Sequence, residues 1–225
     1  MKKILVINPG STSTKIAFYH DGEQVWKESI EHDAAEIKKY TVIYDQKEMR
    51  TALVLQALAD HGEKISELSG VVARGGLLPS YTDPESGAVT TVASGAYEVT
   101  PALIEALRDR PVNHHASNLG CAIAYGIAHK AGVKAYIYDP VTVDELIDLV
   151  RITGLKDVRR VGQAHNLNMR AAAMKVCREK GIDYYGSNIV VAHLGGGITM
   201  SLHSNGCIVD IVSDDEGPFS PERAG

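Results

Sequence analysis

ILVINPGSTSTKIAFYHDG, residues 4–22, is the stretch on which the fold turns. An apolar run breaks into small hydroxyl residues at Gly10-Ser11-Thr12-Ser13-Thr14, resumes as an apolar run over Lys15–His20, and ends in Asp21-Gly22. Short runs rich in Val and Ile bounded by turn residues predict strands. Asp-Gly between two such runs is a strong two-residue hairpin signal. The Gly/Ser/Thr turn has two readings. It is either an ordinary hairpin turn that happens to be rich in small residues, or a turn whose consecutive N–H groups bind phosphate.

The rest of the chain bears on that choice through an internal echo. ILVINPGS (4–11) sets over IVVAHLGG (189–196): an apolar strand, a polar residue (Asn8, His193), a Pro or hydrophobic residue, then a small-residue turn. A second strand follows each, KIAFY in one and ITMSL in the other. Each then reaches a two-residue turn, Asp21-Gly22 or Asn205-Gly206, before a third strand. With a one-residue difference in length, a β-turn-β-turn-β unit occurs twice. A duplicated domain with two small-residue turns, gripping the phosphates of one nucleotide from opposite sides, is the stronger reading. Neither turn is a P-loop, since GxxxxGK[ST] is absent, and no GxGxxG follows a strand and opens a helix.

Further strands are expected at Glu23–Ile30, Gly70–Arg74, Lys134–Asp139, Asn188–His193, Ile198–His203 and Cys207–Ile211. Helical periodicity predicts helices at Glu48–His61, Pro101–Asp109, Ser117–Ala131, Val143–Arg151 and Asn166–Lys180. Thr100-Pro101 reads as a cap followed by proline in the first turn, and Gly132 and Gly181 stand where C-terminal caps are expected. Hairpins first, then strands alternating with helices, favour a layered α/β architecture.

At 225 residues the chain can bury a substantial core and holds more than one lobe. A net charge of −5 argues against a nucleic-acid or polybasic membrane role. The three cysteines are far apart with no CxxC pair, which suggests reduced cytosolic thiols and no zinc site. ILVI after MKK is too short for a signal peptide, and no run approaches a membrane span. The expected location is cytoplasmic.

Several residues stand where chemistry is placed. Arg74, in VVARGG, ends an apolar strand before two glycines. It reads either as a solvated surface arginine or as a guanidinium given room to contact a carboxylate or phosphate in two-point fashion. Asp139, in YIYDP, is either the cap of a following VTVDEL helix or a carboxylate at the C-terminal edge of a strand, where α/β proteins place their sites. His165 precedes a helical run and by itself reads as a packing or capping residue. His114-His115 precede another helix with no metal-ligand spacing. DDEGPFSPERAG, carrying Arg223, reads as a polar loop.

Taken together, ILVINPGSTSTKIAFY, VVARGGLLP, HASNLGCAIAYGIA, YIYDPVTVDE, VVAHLGGGIT and EGPFSPERAG closely resemble the butyrate kinase branch of the acetate/propionate/butyrate kinase family. That family lies within the larger group sharing the actin, Hsp70 and hexokinase fold, and the resemblance runs along essentially the whole chain. It implies an α/β fold of two duplicated ribonuclease H-like (actin-like ATPase) lobes, divided here as 1–138 and 139–225. It also implies an adenosine-binding glycine pair and a late glutamate beyond Gly225, so the second lobe reads as truncated. A chain of this length alone is expected to be catalytically silent and prone to self-association.

The implied activity is reversible phosphoryl transfer from ATP, with Mg2+, to butyrate or a related short- or branched-chain fatty acid. The implied site is carried over residue by residue. Asn8, Gly10, Ser11 and Ser13 form the first phosphate turn, with Asn8 beside the metal. His193, Gly195, Gly196 and Gly197 form the second. Arg74 and Arg223 bracket the acyl carboxylate and the phosphoryl in flight, Asp139 is the active-site aspartate, and His165 stabilises the transferring phosphoryl. The expected partners are the fatty acid and further copies of the chain, in a homodimer or larger homo-oligomer. Acetate or propionate kinase, an actin/Hsp70-type nucleotide switch without acid substrate, and a sugar kinase are the alternatives. A sugar kinase needs a catalytic base, for which the sequence offers only Asp139.

Overall fold

The computed structural model describes residues 1–213 and residue 216. In chain order the elements are β1 (Lys3–Pro9), β2 (Ser13–His20), β3 (Glu23–Glu31), α1 (Ala34–Ile37), α2 (Lys47–Asp60), β4 (Gly70–Arg74), β5 (Tyr81–Thr82), β6 (Val89–Thr90), β7 (Ala96–Glu98), α3 (Pro101–Asp109), α4 (Leu119–Ala131), β8 (Ala135–Tyr138), α5 (Asn166–Lys180), β9 (Asn188–Leu194), β10 (Ile198–Ser204) and β11 (Cys207–Val212). They form two compact units. One is Met1–Pro79 with Gly95–Tyr138, and the other is Ser80–Ser94 with the chain from Asp139 onward. Ser80–Ser94 joins the latter because Val92 bridges Val143, the Asp144 N–H donates to the Val92 carbonyl at 2.9 Å, and Thr91 Oγ1 donates to the Asp144 carbonyl at 3.0 Å.

The first unit is a six-stranded sheet in the order β3-β2-β1-β4-β8-β7. β1, β4 and β8 run parallel, while β2, β3 and β7 pair antiparallel with their neighbours. Period-2 alternation puts Leu5, Ile7, Ile16 and Phe18 on one face, all buried, where Val54 and Leu58 of α2 and Ile123 and Ile127 of α4 complete the core. Each fully buried side chain of this size contributes about 1.5–3 kcal/mol. The expected caps are present. Thr100 Oγ1 accepts from Leu103 N–H with Pro101 in the first turn, and Gly132 and Gly181 close α4 and α5 in the left-handed conformation.

The second unit holds the sheet β11-β10-β9, the two-stranded β5–β6 ribbon, and α5. Met169, Ala173 and Cys177 of α5 are buried against it, and the Met169 sulfur accepts from Thr199 Oγ1 at 3.6 Å and Ser201 Oγ at 3.5 Å. The helix expected at Val143–Arg151 is absent: only Asp148–Arg151 turns, as a short 3-10 segment. Val143 is drawn into the bridge to Val92. The Asp144 carboxylate accepts from Leu146 N–H and from both terminal nitrogens of Arg151 at 2.7 Å, and these partners outbid the local helical periodicity. No helix among the described residues is long and apolar enough to cross a membrane.

The β1–β3 and β9–β11 meanders share their details. Asp21 and Gly22 (φ 46° and 93°) and Asn205 and Gly206 (φ 51° and 82°) are both positive-φ pairs, as a type I′ turn requires. Register shifts by one residue at the same place in each. Phe18 faces Trp26 but Tyr19 faces Gln24, so Val25 is bulged; Leu202 faces Asp210 but His203 faces Ile208, so Val209 is bulged. Val25 and Val209 each stand three residues after the turn glycine. Two unrelated hairpins have no reason to share that bulge, so the internal repeat extends beyond the turns.

Candidate active site

In the first unit the turn between β1 and β2 is built around a clamp. Gly10 N–H donates to the Ser13 carbonyl at 2.7 Å, and a Cβ on Gly10 would lie 3.3 Å from that oxygen. Behind the turn lies Arg50 of α2, fully buried, and burial pushes its pKa down. Its Nη1 donates to the carbonyls of Gly10 (2.9 Å) and Ser13 (3.2 Å) and to Thr14 Oγ1 (3.0 Å), and its Nη2 to the Ser11 carbonyl (3.4 Å). Gln46 Oε1 takes the remaining donors. Thr14 Oγ1 also bonds His32 Nε2 at 2.9 Å. Ser13 is buried and Ser11 exposed. Asn8, the polar residue next to the turn, has a buried Oδ1 with no hydrogen-bond partner among the described residues.

β4 runs parallel beside β1, and Ile7 pairs with Ala73, so Asn8 and Arg74 are the next residues along neighbouring strands at their C-terminal ends. In open parallel sheets this is the edge where ligands bind. Arg74 is half-buried, which pushes its pKa down, and its guanidinium makes no hydrogen bond or ion pair among the described residues. A surface arginine would be solvated, and a structural one would be paired. Burial, and then the Arg74 charge, push down the pKa of His115, whose Nδ1 accepts from Ser117 N–H at 3.1 Å. The second of the two glycines after Arg74 has a packing reason of its own. Gly76 is left-handed (φ 68°), and a Cβ there would lie 2.8 Å from Asn118 Oδ1, which accepts from Leu77 N–H at 2.9 Å. Beyond it, a cavity of about 230 Å³ is lined by Val42, Ile43, Leu107 and Leu119 with His114 and His115.

In the second unit Asp139 is not a helix cap, because no helix follows it. It is buried, has a left-handed backbone (φ 38°), and accepts from Arg170 Nε at 2.7 Å. Arg170, itself buried, also donates to Glu145 Oε2 (2.5 Å) and to Tyr184 Oη (3.2 Å). Burial opposes its charge, and Glu145 and Asp139 outweigh that, leaving its pKa raised. Tyr184 Oη bonds His203 Nδ1 at 2.9 Å, and Ser201 Oγ bonds His203 Nε2 at 2.8 Å. Burial, and then the Arg170 charge, push the His203 pKa down to about 4.

His165 precedes α5 without capping it. Its ring stacks on His193, with centroids 4.0 Å apart and planes within 9°, and its Nδ1 bonds Thr199 Oγ1 at 3.1 Å. Asn168 Nδ2 donates to His193 Nδ1 at 2.9 Å, which assigns the neutral His193 proton to Nε2. That nitrogen faces the glycine turn: a Cβ on Gly195 would lie 3.1 Å from it. Gly195, Gly196 and Gly197 are absent from the positive-φ glycines, so the need for small residues at 195 is one of volume.

The structure therefore gathers Asn8, Gly10, Ser11, Ser13 and Arg74 at one sheet edge in the first unit. In the second it gathers His165, His193 and the glycine turn, with Asp139 in a neighbouring buried ion-pair network. Arg223 lies outside the described residues. Among the described residues no group of His, Cys, Asp or Glu forms a metal cluster. Arg50, Arg170 and Asn168 went unnoticed in the sequence. Arg50 and Arg170 could have been found, since each sits on the buried stripe of its helix (50, 54, 57, 58; 166, 169, 170, 173, 177), where a charge implies a buried partner.

Comparisons with known proteins bear on the fold and on the sequence as a whole. The fold is that of the acetate and propionate kinases. It superposes on the Porphyromonas gingivalis acetate kinase with a TM-score of 0.68 at 20% identity, over 98% of this chain and 60% of that one. A Francisella tularensis propionate kinase gives 0.63 at 12% identity, over 95% and 57%. In sequence the chain is similar along its whole length to the butyrate kinases. It is 43% identical to the "Probable butyrate kinase" of Coprothermobacter proteolyticus, over 99% of this chain and 60% of that protein. It is 41% identical to "Butyrate kinase 1" of Clostridium acetobutylicum, over 100% and 61%. The chain thus spans about 60% of the length of these curated relatives. No family model matches it.

Proposed function

We propose that this chain carries most of the phosphate- and acid-binding groups of a carboxylate kinase that transfers the γ-phosphoryl of ATP to butyrate or a related short-chain fatty acid. A carboxylate oxygen bonds to phosphorus, the bond from phosphorus to the β,γ-bridging oxygen breaks, and acyl phosphate and ADP leave. The two units are read as the two actin-like lobes, acting in the cytoplasm as a homo-oligomer. The observation that carries the proposal is Arg74: half-buried, at the C-terminal edge of β4 beside Asn8, and without a hydrogen-bond or ion-pair partner among the described residues. Leaving a guanidinium in that state is costly unless an anion completes it. A nucleotide switch has no acid to occupy it.

The nucleophile needs no base. A carboxylic acid of pKa near 4.3 is already ionised at neutral pH. Asp139 fits that economy, since its carboxylate is engaged by Arg170 and is assigned to orientation. The work left for the chain is alignment and charge neutralisation. Arg74 pairs the incoming carboxylate, and Arg223 is assigned to the transferring phosphoryl. Gly10, Ser11 and Ser13 present one turn to the phosphates, while Gly195, Gly196, Gly197 and the Nε2–H of His193 present the other. His165, stacked on His193, is assigned to the phosphoryl oxygens. The Oδ1 of Asn8, unpartnered among the described residues, is a hard oxygen donor suited to magnesium, which when bound would screen the β- and γ-phosphate charge.

The test is Arg74→Ala, assayed as hydroxamate formed from ATP, butyrate and hydroxylamine in a protein of the relatives' length. Activity should fall by at least about 100-fold with the melting temperature unchanged. Arg74→Lys should fail nearly as badly, because an ammonium loses the planar two-point contact. Near-normal hydroxamate yield from Arg74→Ala would remove the carboxylate-binding role and the reading with it.

A further inference from the structure

We infer that Arg50 is a positioning residue for the β1–β2 turn, and that the nucleotide's phosphates are the missing counter-charge of its buried guanidinium. The inference rests on the phosphate-binding reading of that turn given above and assigns the residue that makes the turn competent.

Every donor of the guanidinium has an acceptor in place, and none of these acceptors is a carboxylate. They are the carbonyls of Gly10, Ser11 and Ser13, Thr14 Oγ1 and Gln46 Oε1. A guanidinium offers five N–H groups in a fixed fork, so Arg50 has none left for a ligand and must act through the turn. Its action follows from peptide planarity. In a trans peptide the C=O and the following N–H point in opposite directions. Drawing the Gly10 and Ser11 carbonyls inward to Arg50 turns the Ser11 and Thr12 amide N–H groups outward. Ser11 and Thr12 are exposed, and neither amide makes a hydrogen bond among the described residues. Two adjacent outward N–H groups form an anion nest.

The charge matters as well as the shape. A fully buried cation surrounded by neutral acceptors is normally matched by an acid. Arg50 forms no ion pair among the described residues, and the nearest titratable neighbour through Thr14 is His32, whose pKa burial and then Arg50 itself push down. The excess positive charge lies directly behind the nest. Glu48, two residues before it on α2, pairs outward with Lys47 and does not neutralise it.

The experiment uses the 225-residue chain and inorganic tripolyphosphate with magnesium, a probe with phosphates and no base. Titration calorimetry gives the affinity, and the Ser11 and Thr12 amide resonances report the site. The wild type should bind, moving those two amides, with an affinity that weakens as salt is raised. Arg50→Met should bind at least tenfold more weakly with a shallower salt dependence. Arg50→Lys should fall between, because it restores the charge but offers only three donors. A role confined to stability would shift the melting temperature without this graded rescue. If Arg50→Met does not fold, Arg50→Lys decides by the same readings. Wild-type binding that both variants reproduce would overturn the role of Arg50 and leave the phosphate turn standing. No binding by the wild type would remove the phosphate turn, and the inference with it.

Discussion

The meander that opens the chain and the one at Asn188–Val212 have the same turns and the same bulge, yet they bury opposite faces. Pairing register makes Leu5 equivalent to Val190, Ile16 to Met200, and Phe18 to Leu202. Leu5 and Phe18 are 0% exposed, whereas Val190 is 65% and Leu202 38% exposed. Conversely Thr199, Ser201 and His203 are buried beneath α5, while their counterparts Lys15, Ala17 and Tyr19 are not. In the first unit helices that follow the meander, α2 and α4, cover the aliphatic face. In the second the helix that precedes it, α5, covers the other, and among the described residues nothing covers the aliphatic one. Turn chemistry and alternation fix register; which face becomes core depends on where the helix comes from.

The largest test of that asymmetry is a matched pair of truncations. Phe18→Ala should cost about 3–5 kcal/mol of unfolding free energy. Leu202→Ala, the same site in the repeat, should cost less than about 1 kcal/mol, because little apolar area is lost. Urea denaturation at neutral pH measures both, and equal costs would mean that Leu202 is covered in solution.

Next in size is acid sensitivity, which belongs to the second meander. His203 has its folded pKa pushed to about 4, below its unfolded value near 6.5. Between those pH values the unfolded chain binds the extra proton, so stability falls as the pH drops from 6.5 towards 4 and is fully present above 6.5. At about 1.4 kcal/mol per pKa unit the loss is on the order of 3 kcal/mol. His203→Gln should flatten that limb of the urea midpoint against pH; an unchanged slope would assign the acid sensitivity elsewhere.

The smallest effect separates the two tight turns. Gly22→Ala and Gly206→Ala each place a Cβ on a positive-φ residue, costing about 1 kcal/mol. Gly206 has the further obstacle of the Tyr185 ring 2.5 Å from the new Cβ, where Gly22 has nothing within 4 Å among the described residues. Gly206→Ala should therefore lower the melting temperature more than Gly22→Ala does.

These contrasts mark what was legible in the sequence. Local chemistry was: Asp-Gly and Asn-Gly gave the turns, Thr100-Pro101 a helix start, Gly132 and Gly181 two helix ends. Residues whose state is set by distant partners were not. Val143–Arg151 carries helical periodicity, but Asp144 bonds Arg151 and Val143 pairs with Val92. Asp139 reads as a cap until Arg170 is found beside it. At the candidate site the strand ends and glycines were visible, but the groups that hold them, Arg50 behind one turn and Asn168 behind the other, were not. The turn and strand residues they hold lie 25 or more residues away along the chain.

The bulges at Val25 and Val209 bear on how copies of this chain meet. Among the described residues β3 and β11 are both outermost strands, and a kinked strand is a poor template for another chain's backbone. β9 is also outermost among the described residues, but it pairs residue for residue with β10 over its whole length. Its other edge corresponds to the edge of β1 that β4 occupies, and its outward side chains include Val190 and Leu194. Of these three edges, the two that carry an extra valine are therefore poor sites for strand exchange, and the regular β9 edge is the one that strand addition favours.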